Sequence, residues 1–352
     1  MKKYWNKKLA LLLVIVLTFS LLTGCSKNAE ETPAADATPT AEATAAAEPT
    51  KAEEAPTPEV TEAPTEEPAP TEEPAEGITV TDMTGREITL SEPATRIVAL
   101  SAADCEILYA IGAGDTLVGR GEYCDYPEDV FAVPAVQSGA ETNIEQIISL
   151  NPQVLLMSTM AQTEEQVKAL EDAGVKVVVS DAKDIEGTYQ AISIIGKLMG
   201  KEDNANALID SMKQAFDKVA ADAAANPSDT EKSIYFEVSP LEWGLWTAGK
   251  GTFMNEVAEM IGCKNAFDDV DGWASISEEQ VLEKNPDYIV TITMYYGEGP
   301  TPVEEILGRA GWENVPAVAN EKILNLTGNE LSRPAPRLAD GAQMLYDFVY
   351  GE

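Results

Sequence analysis

The segment NIEQIISLNPQVLL at residues 143–156 recurs later in the chain as SEEQVLEKNPDYIV at residues 277–290. The two copies share Glu, Gln, Asn and Pro at equivalent positions, and their apolar positions agree in kind. In each copy a short helical pattern stops before Asn-Pro, where the proline blocks continuation of the helix, and an apolar run follows. Two copies of one unit predict two similar lobes, although helix–Asn-Pro–strand is also a common local arrangement.

Apolar runs and helical patterns alternate through the region around the first copy. We predict strands at Arg96–Leu100, Val154–Met157 and Val175–Val179, and helices at Cys105–Ile111 and Thr163–Asp172. This alternation favours an α/β fold with parallel sheets.

A long helical segment separates the two copies. Apolar residues recur at helical spacing in Ile185–Leu198 and again in Asn204–Ala225, with Gly200 between them. We therefore expect an N-terminal α/β lobe at residues 78–183, a bridging helical segment at 184–226 and a C-terminal α/β lobe at 227–352. A cleft between two such lobes is a natural ligand site.

Residues 1–25 are predicted to be a lipoprotein signal peptide. Four lysines among the first eight residues precede an apolar run from Leu9 to Leu17, and the segment closes on Leu-Thr-Gly-Cys, with Cys25 last. A basic start, a short apolar core and small closing residues are typical of a secretory signal, and the ending resembles a bacterial lipobox, whose cysteine is lipidated. We expect an extracytoplasmic protein anchored to the cell membrane through Cys25; a plain signal peptide or an uncleaved anchor helix is the alternative.

Residues 26–77 are predicted to be a disordered tether. Within them, residues 28–76 contain nine prolines, nine threonines and 14 acidic residues, and no aromatic residue. Such a segment cannot bury enough apolar surface to offset the entropy of ordering it. A glycosylated or wall-associated stalk is the alternative function of this segment.

The charge and residue usage exclude several classes of function. A formal net charge of −36 at pH 7 repels nucleic acid. The chain has no histidine, so the commonest metal ligand and the commonest general base are both missing. We find neither a nucleophile–base pair nor a metal-ligand spacing among the remaining residues, and we predict a protein that is not an enzyme and has no cofactor.

Several motifs in order resemble the periplasmic-binding family for cobalamin and ferric siderophores. They are SAADCEILYAIG (101–112), GEYCDYP (121–127), both copies of the repeat, TAGKG (247–251), GW (272–273) and RPAPR (333–337). The resemblance implies two α/β lobes with limited hinge motion, and delivery of a small ligand to the membrane subunits of an ABC importer. It also implies one acidic residue per lobe that docks on arginines of those subunits, here Glu145 and Glu279.

The aromatic residues of the C-terminal lobe suit a large, flat, amphipathic ligand, whereas Phe253 and Tyr235 are interpreted as core residues. Together with the resemblance, they give the predicted ligand-binding residues: Ser101, Tyr123, Tyr126, Trp243, Trp246, Trp273, Tyr295, Asn329 and Arg333. We expect a monomer that binds a corrinoid of the cobalamin type.

Other ligands and another class of function remain open. Glu330 stands where a cobalamin binder carries an aromatic residue, and Arg120 and Arg333 could instead meet an anionic ferric siderophore. Heme is a third ligand, for which a tyrosine or methionine would have to serve as axial ligand. A surface sensor or receptor without transport is the rival function.

Overall fold

The computed structural model describes residues 77–159, 163–228 and 230–351. The predicted signal peptide, its Cys25 and the tether up to residue 76 lie outside the described residues. Within the described residues, no helix combines the length and apolar character needed to cross a membrane.

The N-terminal lobe is built on a five-stranded parallel sheet, preceded by a small antiparallel hairpin of β1 (Ile78–Thr81) and β2 (Glu87–Leu90). The sheet has the order β5-β4-β3-β6-β7, and every neighbouring pair in it is parallel. Its strands are β3 (Ile97–Ala99), β4 (Leu117–Gly121), β5 (Ala135–Val136), β6 (Val154–Met157) and β7 (Lys176–Val179). The accompanying helices are α1 (Ala102–Ala110), α2 (Ile144–Ser149) and α3 (Glu164–Asp172).

Two helices, rather than one continuous helix, form the bridging segment. They are α4 (Ile185–Leu198) and α5 (Glu202–Ala225), and Gly200 between them has a φ of +59°, a left-handed conformation that favours glycine. The apolar face of α5, with Met212, Phe216 and Val219, is buried in a core that also takes in residues of both lobes. Because this core is shared, the bridge restrains movement of one lobe against the other.

The C-terminal lobe contains a six-stranded sheet with the order β11-β9-β8-β12-β13, in which β10 also pairs with β8. Its strands are β8 (Lys232–Ser239), β9 (Trp246–Ala248), β10 (Cys263–Asn265), β11 (Trp273–Ser275), β12 (Tyr288–Thr291) and β13 (Ile323–Asn325). Its helices are α6 (Phe253–Met260), α7 (Glu278–Lys284), α8 (Pro302–Leu307), α9 (Pro316–Ala319) and α10 (Leu338–Tyr350).

The predicted fold class, α/β with two parallel-sheet lobes, is confirmed, and the second lobe adds an antiparallel strand pairing at one side of its sheet. Strands β8, β10, β12 and β13 are parallel, whereas β9 runs antiparallel to both β8 and β11. Only residues 240–245 connect β8 to β9. A connection this short can join two antiparallel strands, whereas two parallel strands need a longer crossover.

The two copies of the repeat adopt the same local structure. Asn143 and Ser277 cap α2 and α7 by accepting a hydrogen bond from the backbone of the glutamine three residues later. The asparagine before each proline, Asn151 or Asn285, has a φ of +50°. This left-handed residue turns the chain from each helix into a fully buried strand, so the two lobes are built from one structural unit.

Candidate ligand-binding cleft

A cavity of about 430 Å³ lies between the two lobes. On its N-terminal side it is lined by residues that directly follow β3, β6 and β7, namely Ser101–Ala103, Ser158–Thr159 and Ser180–Lys183. Ligands of open α/β sheets bind outside the carboxyl ends of the strands. The cavity therefore lies where the sheet topology favours binding.

The N-terminal wall of this cavity is rich in hydroxyl groups. Ser101, Ser158, Thr159 and Ser180 all line it, and the Thr159 hydroxyl donates a hydrogen bond to the Asp181 carboxylate. Hydroxyls can both donate and accept hydrogen bonds, so this wall suits a ligand with many amide or carbonyl groups.

A buried acid, Asp104, lies directly behind this wall. Its Oδ1 accepts a hydrogen bond of 2.6 Å from the Ser180 hydroxyl, while its buried Oδ2 has no hydrogen-bond partner. Burial disfavours the charged form and, with a smaller contribution from Asp181, raises the pKa of Asp104 to about 7 against the lowering effect of Ser180. The protonation of this group therefore changes near neutral pH.

The C-terminal wall is aromatic. Phe253 and Trp273 line the cavity, and their ring centroids are 5.5 Å apart in a tilted arrangement. Phe253 is only 2% exposed whereas Trp273 is 39% exposed. Trp273 thus presents an apolar ring to the cavity, and Phe253, interpreted from the sequence as a core residue, is both buried core and part of the wall.

An ion-pair network joins the two lobes beside the cavity. Arg337 donates two hydrogen bonds to Glu106 on α1, Nη2 to Oε1 at 2.7 Å and Nε to Oε2 at 2.9 Å. Arg333 Nη1 lies 2.5 Å from Asp125 Oδ1 and 3.1 Å from Glu106 Oε1. Burial opposes the charge of both arginines, but their hydrogen bonds to these carboxylates outweigh it and raise both pKa values.

Three of the nine predicted ligand-binding residues, Ser101, Trp273 and Arg333, line the interlobe cavity. Three others belong to the ion-pair network. The Tyr123 carbonyl accepts a hydrogen bond from Arg333, the Tyr126 ring lies under the Arg337 guanidinium, and Asn329 donates to Asp125. Arg333 therefore lines the cavity with its guanidinium already engaged by two carboxylates.

Trp243 and Tyr295 line a second cavity, of about 310 Å³, in the C-terminal lobe. It opens in the segments that follow β8 and β12, and residues 240–243 and 293–305 contribute most of its wall. Trp246 lies on β9 and lines neither cavity. Eight of the nine residues thus lie in three separate environments, and Trp246 lies in none of them.

Several site residues were missed by the sequence interpretation. Glu106 and Asp104 are acids within the apolar helix α1, and both are buried. Their position within an otherwise apolar helix was the signal that could have identified them. An acidic side chain is rarely buried without a partner, so each one points to a pairing elsewhere in the fold. Asp125 and Arg337 occur in the quoted motifs but were not assigned a role.

Other predicted residues lie away from the cavity. Glu145 and Glu279 are exposed in the first turns of α2 and α7, one on each lobe. Arg120 is buried and donates to the carbonyls of Gly121, Val133 and Cys124, so it is a structural arginine rather than a contact for an anionic ligand. Across the described ranges, no group of three or more acidic or cysteine side chains is placed to hold a metal ion.

The sequence and fold are similar to those of known proteins. Residues 97–329 match the family described as periplasmic binding protein. An uncharacterized ABC transporter substrate-binding lipoprotein of Bacillus subtilis, YvrC, is 34% identical over 276 residues, which cover 78% of this chain and 85% of that protein. The vitamin B12-binding protein of Vibrio cholerae is 26% identical over 258 residues, 73% of this chain and 90% of its own length.

A solved structure agrees with these relatives. A possible iron-binding (periplasmic solute-binding) protein of Staphylococcus epidermidis is 34% identical and superimposes with a TM-score of 0.61, covering 74% of this chain and 100% of that one. These relatives are solute-binding proteins, which confirms the prediction that the chain is not an enzyme. The chain therefore belongs to the periplasmic binding protein family, among the extracytoplasmic substrate-binding proteins of ABC transporters.

Proposed function

We propose that this protein is the lipid-anchored receptor of an ABC importer and that it captures a corrinoid of the cobalamin type for the membrane permease. The observation that carries the proposal is the asymmetry of the interlobe cavity. The polar residues Ser101, Ser158 and Ser180 line one wall, while Trp273 and Phe253 line the other. A corrin has a flat apolar face and a rim of amide groups, and these two walls complement those two parts.

The charged residues beside the cavity favour a ligand whose rim is uncharged over a ligand whose rim is anionic. Arg333 and Arg337 are already paired with Glu106 and Asp125. Among the described residues that line the cavity, Lys183 is the one cation without a carboxylate partner. A heme propionate or an acidic siderophore would have to compete with these carboxylates for the arginines. Such competition would break buried ion pairs, which is energetically unfavourable. Amide groups need no cation and leave the pairs intact.

Two features support delivery to a permease. Glu145 and Glu279 occupy equivalent positions of the repeat, each exposed near the start of a short helix. One carboxylate on each lobe can report the separation and orientation of the lobes to a partner, and arginine side chains would bind them as bidentate, charge-assisted pairs.

The proposed anchor is Cys25, with residues 26–77 as the tether. Both lie outside the described residues, except for Gly77 at the end of the tether, and the proposal rests on the signal-peptide pattern and on the relative described as a lipoprotein. Acyl chains on Cys25 would contribute about 0.8 kcal/mol for each buried methylene group, and two or more such chains hold a protein stably at a membrane.

Binding measurements test the ligand assignment. Quenching of tryptophan fluorescence is measured with cobalamin, cobinamide, heme and several ferric siderophores under identical conditions. We expect the corrinoids to bind at least tenfold more tightly than the other ligands, and Trp273→Ala to weaken that binding. Preferential binding of a ferric siderophore or heme would contradict the corrinoid assignment, while leaving the receptor function in place.

A further inference from the structure

The second cavity has a chemistry of its own. Besides Trp243 and Tyr295, it is lined by Met294, Tyr296 and four glutamates, and no lysine or arginine is among its lining residues. Trp243 and Tyr296 are 74% and 79% exposed. Large exposed aromatic side chains around a concavity are typical of a binding surface rather than of a packed core.

The four glutamates of this cavity divide into two classes. Glu237 and Glu305 are both paired with the buried Arg309, with Nη1 of the arginine 2.6 Å from Glu237 Oε2. Glu242 and Glu298 are exposed, and no cation of the described residues pairs with them. The cavity therefore combines two carboxylates that have no cation partner among the described residues with three exposed aromatic side chains.

The loop that carries the tyrosines is held by its own contacts. The Tyr295 hydroxyl donates to the Gly299 carbonyl at 3.2 Å, and the Tyr296 hydroxyl lies 3.5 Å from the sulfur of Met294. Gly297 and Gly299 have φ values of +82° and +76°, which glycine adopts without strain. These contacts involve the hydroxyl ends of the tyrosines and leave the faces of the rings available.

We propose that this cavity is a binding site for an organic cation, such as an ammonium group. Aromatic faces attract cations through their quadrupole, and Trp and Tyr are the strongest in this role. Glu242 and Glu298 add the opposite charge. The cation is either a charged group of the transported ligand or a small amine that binds by itself. The first of these alternatives rests on the proposed function.

Choline and its uncharged isostere 3,3-dimethyl-1-butanol test the site directly. The indole N–H resonance of Trp243, assigned with Trp243→Phe, is followed by NMR during titration of the purified chain with each compound, with sodium chloride as the control for ionic strength. We expect choline to shift the resonance and to bind about threefold to tenfold more tightly than the alcohol, as a cation–π contact predicts.

Variants test whether Glu242 and Glu298 contribute to the preference for the cation. Glu242→Gln combined with Glu298→Gln is expected to reduce the preference for choline without abolishing it, because the aromatic rings remain, while Glu283→Gln, at an exposed glutamate on α7, leaves it unchanged. Equal binding of choline and the alcohol, no shift beyond that given by salt, or a preference of unchanged size in the double variant would each overturn the proposal.

Two forms of cobinamide distinguish the sources of the cation. Its diaqua form is cationic and its dicyano form is neutral, on the same corrin ring. Tighter binding of the cationic form that is reduced in the Glu242→Gln, Glu298→Gln variant assigns the site to the transported ligand. Corrinoid binding without charge preference, together with choline binding, assigns it to a separate amine. If no corrinoid binds, the proposed ligand fails, and the choline result still decides whether the site exists.

Discussion

Arg337 of the C-terminal lobe holds Glu106 of the N-terminal lobe through two hydrogen bonds, at 2.7 and 2.9 Å. The Glu106 side chain is only 2% exposed, and that of Arg337 is 14% exposed. Both charges are therefore removed from water and depend on each other, and the pair joins the two lobes next to the proposed ligand cavity.

Loss of one partner of this pair should destabilise the protein strongly. Arg337→Met leaves Glu106 with Arg333 as its remaining ion-pair partner, so the loss should lie near the lower end of the about 3–5 kcal/mol that breaking a buried pair costs. We expect a loss of that order in the free energy of unfolding, measured with urea, and a smaller loss in the double variant Glu106→Leu, Arg337→Met. The exposed pair Lys168–Asp172 is the control, and Lys168→Met should have no clear effect. A neutral Arg337→Met would contradict the assignment of this pair as a buried link between the lobes.

The stability of the protein should fall with rising pH because of Asp104. Burial raises its pKa in the folded state to about 7, above the usual value of 3.8. The stability associated with the neutral carboxyl is fully present below about pH 4 and is lost as the pH rises through 7. The difference between the two pKa values corresponds to on the order of 4 kcal/mol.

Asp104→Asn keeps the shape of the side chain and removes its titration. We expect the melting temperature of the wild-type protein to decline between pH 5 and pH 8 more steeply than that of the variant. Parallel pH profiles for the two proteins would show that Asp104 does not titrate in this range.

The left-handed asparagines of the repeat give a third prediction. Asn151 and Asn285 both have a φ of +50°, where a β-branched residue is disfavoured by about 1–2 kcal/mol. We expect Asn151→Val and Asn285→Val each to lower the free energy of unfolding by about that amount, while the corresponding glycine variants keep wild-type stability. A marked difference between the two positions would argue against the structural equivalence of the two copies.

Much of the fold could be predicted from the sequence because its signals are local. The predicted strand Val154–Met157 coincides with β6, and the predicted helix after Thr163 coincides with α3 and its cap. The proline of each Asn-Pro pair fixes where a helix must stop. The antiparallel edge of the second lobe was missed because β9 and β11 have only three residues each and show no clear alternation.

The site was less predictable because its chemistry depends on distant pairings. Arg333 and Asp125 are 208 positions apart, and Arg337 and Glu106 are 231 positions apart. No spacing in a single sequence reveals that these side chains meet. The sequence motifs placed Arg333 at the site, but only the structure shows that Asp125 and Glu106 already neutralise it.

The most direct test of the receptor function is charge reversal of the two proposed docking residues. Uptake of the ligand identified by the binding panel is measured in cells that carry Glu145→Lys and Glu279→Lys, and the affinity of the purified double variant is measured in parallel. Glu164→Lys with Glu283→Lys is the control, since both residues are exposed and the change in net charge is the same. We predict that the docking variant loses uptake and keeps wild-type ligand affinity, while the control keeps both. Wild-type uptake in the docking variant would contradict delivery through these two carboxylates, and an absence of uptake even by the wild-type chain would favour a sensor.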